Sequence, residues 1–155
     1  MDCNTVERFG TGGKIEMNIR LFVNELQNIF DDFLSTTFTD LTTLQDCTYR
    51  IEAFPNSIEA SDSSTLYCFI SLQDIGVEKV SSIDSMCTYK VIVTFAAKKP
   101  LVNFVMKFSE LFDRFFDFIV STFFSSNCKI SEFMFDEQSD TSLCTFEFVV
   151  AENLK

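Results

Sequence analysis

The segment LVNFVMKFSELFDRFFDFIVSTFF, Leu101 to Phe124, restricts the possible folds of this chain more than any other stretch. It follows Lys98-Lys99-Pro100, and proline suits the first turn of a helix because the N–H it lacks would have no partner there. Asn103, Lys107, Glu110, Arg114, Asp117 and Ser121 recur at steps of three and four and form one narrow polar stripe, while most other positions are Phe, Leu, Val, Ile or Met. The length would suit a membrane span, but Lys107, Glu110, Asp113, Arg114 and Asp117 each cost about 2.5–3.5 kcal/mol at a bilayer centre, so a span is excluded. A helix this apolar is expected to be buried on most sides, against a broad sheet and a second helix or against a partner subunit. Phe112, Phe115 and Phe116, on its widest apolar part, are expected to pack on the strand Cys87–Phe95 and on the first helix.

The rest of the chain supplies such a sheet. Ile15, Ile19, Phe22, Leu26, Ile29, Phe30 and Phe33 fall at helical steps, with Glu16, Arg20, Gln27 and Asp31 outside them, which predicts an amphipathic helix from Lys14 to about Thr36. The polar TDLTTLQD ends it. Thr48–Phe54 reads as a strand stopped by Pro55-Asn56, and Thr65–Gln73 as a second, reached through ASDSS. In the third, Cys87, Tyr89, Val91, Val93 and Phe95 alternate with Thr88, Lys90 and Thr94. Strands joined by turn-rich segments predict an antiparallel meander, and Gly76–Ser85 reads as a long projecting connection. Cys128–Asp136 and Leu143–Glu152 close the chain as a hairpin around DEQSD. The expected fold class is α+β: an antiparallel sheet of about five strands, in the order α-β-β-β-α-β-β, with two helices on one face. With 155 residues, 46% of them hydrophobic, the chain is expected to form one domain over residues 14–155, preceded by a flexible arm, residues 1–13.

Little in the sequence points to catalysis. RFGTGGKIEM has a Gly13-Lys14 pair, but Arg8 stands where a phosphate-binding loop needs its first glycine and Ile15 replaces the magnesium-binding hydroxyl. Ile15 also breaks the dinucleotide fingerprint, so Gly10, Gly12 and Gly13 read as a joint between arm and helix. Histidine is absent, which removes the commonest base at neutral pH and the commonest metal ligand. Cys3, Cys47, Cys68, Cys87, Cys128 and Cys144 form no C-x-x-C pair, and the polar start of the chain does not read as a signal peptide, so free thiols in a reducing compartment are expected. Cys87 and Cys144 fall on apolar strand faces, as core thiols would. Asp136, Glu137 and Asp140 lack the spacing of a calcium loop and read as a solvated hairpin tip. Asp31 and Asp32 point about 100° apart on a helix and read as surface. No catalytic, cofactor-binding or metal residue is assigned, and a non-enzymatic role is expected. The net charge of −11, with no basic patch, predicts no sequence-specific nucleic-acid binding.

The order of elements resembles that of the tail-terminator and head-to-tail completion proteins of long-tailed bacteriophages, with an amphipathic first helix, a meander, a strand like MCTYKVIVTFAAKKP before a long second helix, and a final hairpin ending like TSLCTFEFVVAE. The resemblance spans most of Lys14 to Glu152 and is one of pattern at the level of the fold. It implies a structural protein of the virion that forms a homo-oligomeric ring, with a hexamer as one candidate size, on the tail tube and against neck proteins. Its acidic surplus would then line a channel through which DNA slides. The alternative is a small acidic secretion-type or assembly chaperone in the cytoplasm, dimeric and holding an extended client protein.

Overall fold

A computed structural model describes residues 5–7, 16–79, 85–123 and 128–154. The fold is α+β, with two long helices on one face of a five-stranded sheet. Helix α1 is Ile19–Asp40 and α2 is Leu101–Phe123. The short strands β1 (Thr5–Glu7) and β2 (Glu16–Asn18) pair antiparallel in a separate two-stranded sheet. The main sheet contains β3 (Thr48–Ala53), β4 (Thr65–Lys79), β5 (Ser85–Ala97), β6 (Lys129–Asp136) and β7 (Thr141–Leu154), in the order β3-β4-β5-β7-β6.

Alternation places one apolar set under the helices. Cys68 and Ile70 of β4, Val91, Val93 and Phe95 of β5, and Cys144, Phe146 and Phe148 of β7 stand side by side across the ladders, and all are buried. Phe22 of α1 stacks on Tyr89 with ring centroids 3.9 Å apart, and Phe38 reaches Tyr49 on β3 at 5.1 Å. Phe115 of α2 meets Phe95 and Phe146, each at 4.9 Å, and Phe30 of α1 at 5.4 Å. Phe115 therefore packs as expected, Phe112 meets Phe95 of β5 at 5.4 Å, and Phe116 is only half-buried. Helix α2 is also less enclosed than its composition suggests, because Val102 and Met106 are 72% and 79% exposed.

Several expectations are corrected. The strands are not a fully antiparallel meander, because β3 and β4 run parallel, with Thr48 beside Thr65 and Ala53 beside Ile70. Parallel neighbours need a crossover, which residues 54–64 provide by crossing the face opposite the helices. There Ala60 is buried against Tyr67, Phe69 and Ala96, and its N–H donates to Thr141 Oγ1 at 3.2 Å. Phe54, with φ of 52°, turns the chain out of β3 into this strap. Gly76 is not part of a projecting loop either: β4 continues to Lys79, and Gly76–Lys79 pair with Ser85–Thr88. A bulge at Asp74-Ile75, with Asp74 at φ 48°, absorbs one extra residue and keeps the later part of β4 in register. The centre of the expected connection, residues 80–84, lies outside the described residues.

Helix α1 begins at Ile19 rather than Lys14, because Glu16–Asn18 belong to β2. It also runs past Thr36: the Thr37 and Thr39 hydroxyls donate to the carbonyls of Phe33 and Ser35, four residues back, and so do not break the turn. Gln45 Nε2 then donates to the carbonyls of Phe38 at 2.9 Å and Leu41 at 3.2 Å, closing the helix end after the 3-10 turn Thr42–Leu44. In the arm, only Thr5–Glu7 are described; Gly10, Gly12, Gly13 and Lys14 lie outside the described residues.

Candidate functional site: the open edges of the sheet

The residues with ionisable or nucleophilic chemistry do not converge. Burial pushes the thiols of Cys128 and Cys144 up to about 11 and about 12, and those of Cys47 and Cys68 are raised by the same cause, which keeps them in the weakly nucleophilic protonated form. Cys47, Cys68, Cys128 and Cys144 are free thiols. Asp136 shapes the β6–β7 turn by accepting from Gln138 N at 3.1 Å and Ser139 Oγ at 3.0 Å, while Glu137 and Asp140 point to solvent around it. Asp31 and Asp32 lie on the surface of α1, and Asp31 Oδ1 accepts from Tyr49 Oη at 2.7 Å. Burial and the Asp31 carboxylate together raise the Tyr49 phenol to about 12. Lys107 donates to Asp46 Oδ1 at 2.8 Å, a bond that lowers the aspartate and raises the lysine. Among the described residues, no group of three or more Cys, Asp or Glu side chains could hold a metal ion, and no helix is long and apolar enough to cross a membrane.

The surface is most unusual at the two edges of the main sheet. Strand β6 is one edge. On its helix side, Ile130 stands beside Phe146 and Phe133 beside Cys144, with Phe135 following in the same parity. All three are partly exposed, and Met134 on the other side is 48% exposed. Phe133 touches Phe112 of α2 at 6.0 Å. The flank of α2 on that side carries exposed Val102, Met106 and Val120 around the exposed Asp113, because its opposite flank faces α1 through Phe118 on Phe33 and Arg114 on Asp40. The apolar strip thus spans two elements and includes a strand with a free backbone row. Edge strands are usually short, charged or covered, since free N–H and C=O groups invite another strand. Here a bulge between Ile130 and Phe133 interrupts β6, but Phe133–Asp136 beyond it are regular.

Strand β3 is the other edge. Tyr49 and Ile51 lie on its helix side and are only partly covered by α1, while Arg50 and Glu52 lie on the strap side, 4.0 Å apart. Between α1 and the start of β3, Phe38, Leu44, Cys47, Thr48 and Tyr49 line a groove of about 400 Å³. Beside the strap, Phe54 and Ile58 are exposed over a smaller cavity of about 270 Å³ that reaches Phe69 and Thr94.

Sequence reasoning found the strand β6 and the polar stripe of α2, but not that β6 is an edge, because strand order is not written in alternation. It also gave α2 one exposed stripe, where Val102, Met106 and Val120 add an apolar one. The positional signal was present, since these residues fall on the side of the wheel away from Lys107 and Arg114. No protein-family model and no curated protein matches the sequence.

Proposed function

We propose that this chain is a non-enzymatic structural assembly protein that forms a homo-oligomeric ring of the tail-terminator or neck-completion kind and contacts neighbouring tail-tube or neck proteins in a virion. The observation that carries the proposal is the exposed apolar surface along the helix side of β6 and the outer flank of α2, where a free strand edge carries exposed Phe133 and Phe135 and the helix flank carries exposed Val102 and Met106. A subunit that assembles gains by burying such a surface, and a permanent monomer gains only a risk of aggregation. The element order supports the ring type by fold-level likeness, and the net charge of −11 suits a channel wall that does not hold DNA.

The mass of the purified protein, followed by light scattering over a wide concentration range and again with co-expressed neighbours, tests this reading. A closed oligomer larger than a dimer is the expected result. A dimer that grows no further and captures unfolded clients would favour the assembly-chaperone alternative, and a monomer under every condition would overturn the proposal.

A further inference from the structure

The two open edges match each other. Strand β3 runs parallel to β4, and each later neighbour in the order β4-β5-β7-β6 is antiparallel to the one before. It follows that β6 and β3 run in opposite directions within one molecule. A second copy, rotated about an axis along the strands, would therefore present its β3 antiparallel to β6 with both helix layers on the same side.

On the assumption that the chain self-assembles, we propose that the β6 edge of one copy adds to the β3 edge of the next, with Phe133 opposite Ile51 and Phe135 opposite Tyr49. In this register apolar groups meet on the helix side: Phe133 and Phe135 from β6, and Tyr49 and Ile51 from β3. On the strap side Met134 lies opposite Arg50 and Asp136 opposite Thr48, with charges of opposite sign on the diagonals. Asp136 lies diagonal to Arg50, and Lys129, whose side chain is 67% exposed, lies at the end of β6 that reaches Glu52. The ends agree as well. The groove between Phe38, Leu44 and Tyr49 sits where β3 begins, and antiparallel addition brings to that end the close of β6 and the start of α2, with Phe135 and exposed Met106. Two different surfaces in contact make a head-to-tail interface, which closes into a ring when the rotation between copies allows it. Pairing β6 with a second β6 would instead bring Lys129 and Asp136 together but leave the β3 groove empty in both copies.

Met134, exposed and opposite Arg50 in the proposed register, provides the test. Met134→Arg sets like charges against each other, and the concentration for half-assembly should rise at least about tenfold. Adding Arg50→Glu to the same chain should restore assembly. Circular dichroism checks folding of each variant, and the pair Lys129→Glu with Glu52→Lys, both on the surface, repeats the test at the other end should Met134→Arg not fold. Loss without rescue would mean that β6 pairs with something other than β3 and would overturn the inference. Oligomers unchanged by Met134→Arg and Lys129→Glu would overturn it too while leaving self-assembly intact. A wild-type protein that stays monomeric would instead remove the assembly reading on which the inference rests.

Discussion

On the helix side of the sheet, Phe115 meets Phe95 and Phe146 edge to face and Phe112 packs on the same two rings at a tilt, with centroids between 4.9 and 6.1 Å. On the strap side, a single crossover covers only Tyr67, Phe69, Ala96 and part of Leu143, and it is held by hydrogen bonds: Ala60 N to Thr141 Oγ1, and Ser61 Oγ with Tyr67 Oη at 2.9 Å. One face is closed by area and shape, the other by a few directional bonds over small residues. Area tolerates no truncation because the hole left behind cannot fill. Directional bonds tolerate no lost partner, because the buried N–H that remains has no water to turn to.

The contrast can be broken from its strong side first. Phe115→Ala should cost about 3–5 kcal/mol in denaturant unfolding, and Phe116→Ala, at a half-buried position, clearly less. Equal costs for the two would mean that the helix face is not the packed one. Thr141→Val keeps the volume but removes the acceptor of Ala60 N–H, and should cost about 1–3 kcal/mol. Amide exchange at Ala60 should accelerate in that variant while the amides of β5 keep their protection; a uniform loss of protection would show that strap and helix face act as one unit.

The smallest effect concerns the edge where α1 rests on β3. The phenol of Tyr49 moves from 10.0 to about 12 because burial and Asp31 disfavour the phenolate in the folded state. A group raised in this way supports the fold while protonated, and that support is lost as pH rises through the same interval. Stability should therefore decline between pH 10 and about 12 more steeply in the wild type than in Tyr49→Phe. Identical slopes would mean that the Tyr49–Asp31 contact is not formed in solution.

The legible and the hidden parts of this fold divide along the same line as the two faces. Strands β5 and β7 were visible as alternation, since burial on one side forces a period of two, β3, β6 and β4 as far as Gln73 as short runs between turns, and α2 as a stripe. The strap was not. Pro55-Asn56 and ASDSS have the composition of an ordinary turn, and nothing in a strand's own pattern says whether its neighbour runs parallel. Gly76 misled for a related reason: it reads as punctuation, yet a Cβ there would meet only Thr88 Oγ1 at an ordinary 3.6 Å, and the real break is the positive φ of Asp74. The apolar edge at β6 depended on strand order, which is a long-range property.

Strand β7 is the last made and stands inside the sheet, between β5 and β6. As the chain leaves the ribosome, β3, β4 and β5 emerge with no neighbour on the far side of β5, and the strap has no Thr141 to hold, 81 residues further on. At ribosomal speeds that wait is on the order of seconds. The nascent protein therefore carries a half-built, phenylalanine-rich sheet until β7 emerges, and removing β7 would take away the middle of the sheet rather than trim its edge.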